Sequence, residues 1–496
     1  MRPKRRPYLS VKLNRDEYRD MVYACWIGKN IGGTMGAPYE GVKTYLDING
    51  FSTEEGKVLP NDDLDLQLVW LHAVETVGPH AINAAHLGEF WINMIPPHWN
   101  EYGIGKANMK RGLLPPLSGD YDNDWKHSNG AWIRTEVWAC MAPGVPYLAA
   151  KYAIEDAKVD HGAGEGTYAA AFVAAMQSAA FVIKDLRTCI EIGLSQIPAT
   201  SRVADSVRLA MAGYDAGKTA KETRDSILER NADIGDGWFE APSNVAYVIL
   251  GLLYGEGDFK KAMIAAINCG DDTDCTGATV GSTLGILGGS AAIPKDWSHH
   301  IGDDIVTMSI NQNYLGRRLP KTCTELSDRV IAQTPYMLQS NNAETALTDG
   351  KTEMPEEYVE YCLTDDRTAA PLSELKPYTM HFDFAFLGVD ATLDRAPDVG
   401  PMDEIKIHFH FNSKDAIYDR THYSFRMRWW LPDGFAVEGR QSFTIHYKDS
   451  RHYFGEAELD VTLRTGEHVE SLNRCVLEIV ADGHPTPMYI PFVLLG

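Results

Sequence analysis

Basic residues are in short supply: 46 lysines and arginines stand against 68 aspartates and glutamates, a formal net charge of −22. That deficit argues against a nucleic-acid backbone as the main partner, because such binding draws on neutralised phosphates. Long apolar runs are also missing. None follows the basic Arg2, Lys4, Arg5 and Arg6, which argues against a secretory signal in the chain as it stands. The stretch nearest to spanning length, Tyr168 to Ile183, is alanine-rich and contains Gln177. It reads as a buried helix, and no membrane span is expected. The eight cysteines, at 25, 140, 189, 269, 275, 323, 362 and 475, form no CxxC pair and no compact framework. Reduced thiols and a cytoplasmic setting are expected, with export after removal of a signal as the alternative. At 496 residues the chain exceeds one ordinary domain, so two or more are expected.

What is present in excess is acid at one place. Cys269-Gly270-Asp271-Asp272-Thr273-Asp274-Cys275-Thr276 holds three carboxylates within four residues. Gly277, Gly281, Gly285 and Gly289 follow at intervals of four, and Pro294 closes the segment. On a helix this spacing lays the glycines along one stripe. Each costs about 1 kcal/mol relative to alanine, so the stripe predicts close approach of a neighbouring backbone. One aspartate at a helix start would cap free amides. Three repel one another, and a hard divalent cation would offset that repulsion. Capping and metal binding both remain open from these residues alone.

Earlier in the chain, Asn14-Arg15-Asp16-Glu17 predicts a helix start, with the helix running to about Asn30 and a glycine-rich turn from Gly32 through Gly36 to Glu40 and Gly41. Glu40 on its own reads as an exposed loop carboxylate. Asn61 is placed to cap a helix opening Asp62-Asp63-Leu64-Asp65, with Asp62 and Asp65 on one face and Leu64, Leu68 and Leu71 as an apolar stripe. A second acidic helix start thus mirrors the one at Asp272, and the two brought together would hold a binuclear site. Between about 90 and 138 the chain is rich in Trp, Tyr, Gly and Pro, including Ser128-Asn129-Gly130 and Arg134. Rings there suit stacking on a sugar or base, although most tryptophans simply pack. Asp160-His161 precedes the alanine-rich helix, and a lone histidine is more often structural than catalytic.

Helical periodicity dominates to about residue 335. Residues 336–375 read as a linker or irregular cover. From 376 to 496 period-2 alternation takes over, as in Met380, Phe382, Phe384 and Phe386, then Ile405, Ile407, Phe409 and Phe411, then Tyr423, Phe425, Met427 and Trp429. About seven strands are expected, forming a small antiparallel β-sandwich of immunoglobulin-like type. His408 and His410 share a face and read as solvated strand positions. Trp430 falls on the face opposite Trp429.

Taken in order, these motifs resemble the ADP-ribosylglycohydrolase family over about the first 335 residues. Gly32 to Glu40 is similar to its Gly-Asp-Ala-x-Gly segment ending in a functional Glu, and Asn61-Asp62-Asp63 to its Thr-Asp-Asp. Ser128-Asn129-Gly130 with Arg134 resembles its Asn-Gly segment, and Asp160-His161 its Thr-His. Gly270-Asp271-Asp272-Thr273-Asp274-Cys275 resembles Gly-Gly-Asp-Thr-Asp-Thr, the most specific of the set.

The resemblance implies an all-α domain over 1–335, followed by the β-sandwich, and a divalent-metal centre, Mg²⁺ or Mn²⁺, of one or two ions. By position it implies metal ligands at Asn61, Asp62, Asp63, Asp272, Asp274 and Cys275, with Asp271 an additional candidate. Glu40, Asp62 and Asp63 stand at catalytic positions, and Asn129, Gly130 and His161 near the substrate. The chain departs from the pattern with Gly33 for Asp, Asn61 and Leu64 each for Thr, Asp271 for Gly, and Cys275, whose sulfur favours softer ions than Mg²⁺.

The expected activity is metal-dependent hydrolysis of an N- or O-glycosidic bond in a small-molecule or conjugated glycosyl substrate. ADP-ribosyl conjugates are the family default, and a non-nucleotide glycoside is the competing substrate. A non-catalytic binding or structural protein on the same scaffold is the alternative from another class. The β-sandwich is a candidate interface for an oligomer.

Overall fold

The computed structural model describes residues 9–235, 237–312, 318–343, 345–385, 387–413, 423–445 and 455–496. The basic N-terminal residues and Phe386 lie outside them. Two compact units are present: one comprises residues up to Tyr102 with Asp124–Ala157 and Gly164–Glu374, and the other Gly103–Asn123, Lys158–Ala163 and Leu375–Gly496.

The first unit is helical. Strand β1 (Val11–Asn14) pairs in parallel with β2 (Thr345–Thr348) and leads into helix α1 (Arg15–Gly36). Asn14 caps α1 by accepting from the amides of Asp16 and Glu17, as the sequence predicts. The helix does not stop near Asn30. It continues through Gly32 and Gly33 to Gly36, so the expected glycine-rich turn is helix instead. Tertiary packing is the reason. The helix Thr273–Gly288 lies against α1, and the glycines of the two helices face each other. A Cβ on Gly28 would lie 2.1 Å from Gly281 O, one on Gly32 2.1 Å from Gly277 O, and one on Gly36 2.2 Å from Thr273 O. Glycine is costly in each helix taken alone and is required in the pair.

Around this pair sit α2 (Asp62–Val77) and the buried alanine-rich helix Glu165–Ala180. Gln177 on the latter is not stranded in the interior: its amide donates to Ser282 Oγ at 3.0 Å and Thr283 Oγ1 at 3.2 Å. Residues expected as linker or irregular cover carry the end of helix Cys323–Ser340, strand β2 and the short helices Tyr358–Leu363 and Ala369–Glu374. They group with the helical unit as far as Glu374. All eight cysteines are unbridged and buried. Among the described residues, no helix is long and apolar enough to cross a membrane.

The second unit is built on two antiparallel sheets. One orders β3 (Thr379–Asp383), β4 (Leu387–Leu393), β5 (Glu404–Ser413), β9 (Glu456–Arg464) and β7 (Ala436–Glu438). The other orders β11 (Met488–Leu495), β10 (Leu472–Ala481), β6 (Tyr423–Trp430) and β8 (Ser442–Ile445). The described residues thus hold nine strands in these sheets, against about seven expected; the two not expected are β4 and β7, and β7, of three residues, is too short to show a period. Ile405, Ile407, Phe409 and Phe411 point into the shared core, as do Phe425, Met427, Leu477 and Ile479. Trp429 packs its ring 6.1 Å from Phe409 and 6.3 Å from Phe492. Its neighbour Trp430 is exposed, with the Arg428 guanidinium 4.0 Å above its ring. His408 meets Asp460 across the strands, Nδ1 to carboxylate 2.8 Å.

Candidate metal centre

The first turn of α2 supplies three carboxylates with three different surroundings. Asn61 Oδ1 caps the helix by accepting from the Asp63 amide at 2.8 Å. Asp62 accepts from the Tyr102 hydroxyl at 3.1 Å. Asp65 accepts from the amides of Met308 at 2.7 Å and Ser309 at 2.6 Å, so it pins a loop. Asp63 is fully buried, and among the described residues neither of its carboxylate oxygens has a hydrogen-bond partner. Burying a charge without such partners is expensive.

The start of helix Thr273–Gly288 is anchored by its backbone. The Asp271 amide donates to Val42 O, and Gly41 donates to Asp271 O, each at 2.8 Å. Asp271 has a φ of 66°, and its carboxylate accepts from Asn244 Nδ2 at 3.0 Å and from the Phe239 amide at 3.3 Å. It shapes the turn. Asp272 occupies the N-cap position but makes no capping bond. Simple capping therefore does not account for it. Its carboxylate accepts instead from Asn129 Nδ2 at 2.6 Å, while Asn129 Oδ1 accepts from Trp132 Nε1 at 2.9 Å. Thr273 Oγ1 donates to Gly36 O at 2.8 Å, tying this helix start to the end of α1. Glu40 follows α1 by one short 3-10 turn, Ala37–Tyr39.

The two acidic starts converge. Asp63, Asp274 and Cys275 offer ligand atoms within 4.8 Å of one another, and so do Glu40, Asp272 and Asp274. Asp274 belongs to both sets. The electrostatics show what this convergence costs. Burial pushes the Asp63 carboxyl well above the usual carboxylate range, with the Lys29 charge working against the shift and Asp274 adding to it. Asp272 and Asp274 are also raised well above that range, first by burial, with Glu40 adding to both. Glu40 is raised by burial and by Asp62. The raised carboxyls favour their protonated forms, and an oxygen-seeking divalent ion would compete with those protons. The donor set and the unpartnered Asp63 oxygens therefore fit such an ion.

A family model described as ADP-ribosylglycohydrolase matches residues 14–330. The chain belongs to the ADP-ribosylglycohydrolase family. Among solved structures, an ADP-ribosylglycohydrolase-related protein complex is 19% identical, covering 65% of this chain and 99% of that one at a TM-score of 0.44. A FixG-related protein from Vibrio parahaemolyticus is 8% identical, covering 23% of this chain and 97% of that one at a TM-score of 0.18. The GAE domain of GGA2p from Saccharomyces cerevisiae is 10% identical, covering 23% and 96% at a TM-score of 0.16. None of the curated proteins matches.

Against this ADP-ribosylglycohydrolase frame, the structure brings Glu40, Asp63, Asp272, Asp274 and Cys275 into one cluster. Asp62 adjoins it through its charge on Glu40 and Asp274. Asn61 has its carbonyl engaged in the cap. Its amide fills space beside Gly33, where a Cβ would lie 1.9 Å from Asn61 Nδ2. The departures at 33 and 61 are therefore sterically matched. Gly130 lies under Glu101, whose Oε1 would be 2.1 Å from an added Cβ, and its carbonyl accepts from Arg134 Nη1 at 2.6 Å. His161 falls in the second unit, fully buried, with Nδ1 2.9 Å from the Asp160 carboxylate.

Sequence reasoning missed Lys29 and Glu136. Both are fully buried and 3.1 Å apart. Burial works against the Lys29 charge, but Glu136 and Asp63 together outweigh it, and the pKa of Lys29 is raised. A lysine inside an otherwise apolar helix face was the available signal. Tyr102 was missed as well. The rings of the 90–138 segment mostly pack, with Trp91, Trp132 and Trp138 buried, while Trp99 is 46% exposed and lies 6.2 Å from the Tyr102 ring. Trp238 is 42% exposed, beside the Glu40–Val42 turn, with Lys43 Nζ 3.6 Å above its ring.

Proposed function

We propose that the chain is a divalent-metal-dependent glycohydrolase that cleaves the anomeric bond of an N- or O-linked ADP-ribosyl conjugate. One observation carries this reading: fully buried Asp63, with no hydrogen-bond partner for either oxygen among the described residues, converges with Asp274 and Cys275 on an ADP-ribosylglycohydrolase scaffold. Bound divalent cations would be held by Asp63, Asp274 and Cys275 and by Asp272 and Asp274, and would supply a Lewis acid that orients sugar hydroxyls and lowers the pKa of water. Glu40 lies at an exposed position with its pKa raised by burial and by Asp62, which suits a carboxyl that carries a proton to or from the reacting oxygen. Tyr102 and Asn129 fix the Asp62 and Asp272 carboxylates by direct hydrogen bonds. Exposed Trp99 and Trp238, near Tyr102 and Glu40 respectively, offer apolar faces to a ribosyl or adenine ring. The cytoplasmic location expected from eight unbridged thiols belongs to the same proposal.

The deciding experiment supplies purified protein with Mg²⁺ or Mn²⁺ and presents ADP-ribosylated arginine and serine conjugates beside a broad glycoside panel. Hydrolysis of an ADP-ribosyl conjugate, lost in the Asp62→Ala/Asp272→Ala double variant, is the expected result. Turnover of non-nucleotide glycosides alone would move the substrate class, and no turnover of either would sink the enzyme reading.

A further inference from the structure

We propose that Cys275 turns the Asp63–Asp274–Cys275 position into a thiophilic cation site that takes a zinc-class divalent ion in preference to Mg²⁺, while the Asp272–Asp274 position beside Glu40 stays all-oxygen. The inference deepens the metal-dependent reading above and rests on it. Three observations support it. First, the sulfur and the two carboxylates lie within 4.8 Å of one another. Tetrahedral zinc, with bonds of about 2.3 Å to sulfur and about 2.1 Å to oxygen, needs ligand separations of roughly 3.6 Å, a small contraction from that limit. Second, Asp63 is fully buried and both its oxygens are without hydrogen-bond partners among the described residues, so the position holds lone pairs that those residues do not use. Third, Cys275 is 5% exposed, and the carboxylates of Asp272, Asp274, Asp63 and Asp62 all act on it through their charge.

The chemistry then separates the two positions. Oxygen-only sets suit Mg²⁺, Mn²⁺ and Ca²⁺, whereas a thiolate selects softer first-row ions. On binding, the thiol proton leaves to solvent and the sulfur lone pair enters the metal–ligand bond. Three anionic donors against a divalent ion leave one negative charge, and the buried Lys29 ammonium, although paired with Glu136, lessens its cost by acting on Asp63 through its charge. Asp274, common to both sets, couples occupancy of one position to the other.

The test uses the full chain stripped with chelator and titrated with Co²⁺, an optical stand-in for zinc. Equilibrium dialysis gives the stoichiometry, and absorption gives the ligand type. The expected result is a near-ultraviolet thiolate-to-cobalt charge-transfer band that saturates at one equivalent and persists in excess Mg²⁺. Cys275→Ser should lose the band and bind Zn²⁺ ~10-fold or more weakly, with Mn²⁺ binding at the oxygen position retained. Cys275→Thr, checked for its fold by circular dichroism, gives the same readout if the serine variant does not fold. Cobalt bound in stoichiometric amount without the band overturns the proposal and leaves the metal-dependent reading standing. A band that survives in both variants also overturns it, because another cysteine would then be the ligand. Retention of no Co²⁺, Mn²⁺ or Mg²⁺ at all overturns both.

Discussion

Gly281→Ala tests how the acidic centre is held together. The added Cβ would lie 2.0 Å from Gly28 O and 2.6 Å from Gly28 C. Ordinary contact begins near 3.4 Å, so α1 and its partner helix must part by about 1.4 Å, the difference between 3.4 and 2.0 Å. Both clashing atoms are backbone, and no side-chain rotation relieves them. Overpacking costs about 1–3 kcal/mol where neighbours can adjust, and these neighbours adjust least, so about 3 kcal/mol is expected. Alanine returns about 1 kcal/mol of helix propensity, which leaves a net loss of about 2 kcal/mol. The opening also moves Glu40, which follows α1, away from Asp272 and Asp274, so divalent-cation affinity should fall together with stability. The assay is urea unfolding of the metal-free protein, read at the transition of the helical unit, with Gly50→Ala as reference. Gly50 has open space where its Cβ would go, so that change should cost within about 0.5 kcal/mol. If Gly281→Ala matched Gly50→Ala within that margin, the close-packing account of the glycine stripe would be refuted.

The raised carboxyls make pH dependence a second test. Asp63, Asp272 and Asp274 have folded pKa values above their unfolded ones, so between the two the folded metal-free chain holds more protons and its stability falls as pH rises. Metal binding should therefore release protons and tighten with rising pH over the same window; calorimetry in two buffers of different ionisation enthalpy measures the release, and none would contradict the site. Lys29→Met leaves Glu136 buried without its cation and should cost about 3–5 kcal/mol, whereas Lys29→Met/Glu136→Gln should recover at least about 1 kcal/mol of that in a double-mutant cycle. Trp99→Ala and Trp238→Ala, each at an exposed ring, should lower kcat/KM by about 3- to 10-fold with an unchanged melting temperature. Equal kcat/KM in both variants would remove the rings from substrate binding.

Local chemistry was legible in the sequence wherever a single element carries its own signal. The caps at Asn14 and Asn61, the acidic turn before Thr273 and the period-2 runs of β5 and β6 are set by residues that bond to, or alternate along, their own segment. The interval of four between Gly277, Gly281 and Gly285 announced a close neighbour, because glycine's cost in a helix needs a return. It did not say which neighbour. That lay in α1, whose glycines read locally as a turn and became helix only because a second glycine stripe faces them. Sequence also could not sort the six aspartates near the two helix starts. Asp65 and Asp271 have the same chemistry as Asp63 and Asp274, yet two backbone amides claim Asp65, and Asn244 with the Phe239 amide claims Asp271. Residue type and order fixed which groups were available as ligands. Only the tertiary structure decided which carboxylates were left without partners, because hydrogen-bond satisfaction depends on what the rest of the chain brings to each oxygen.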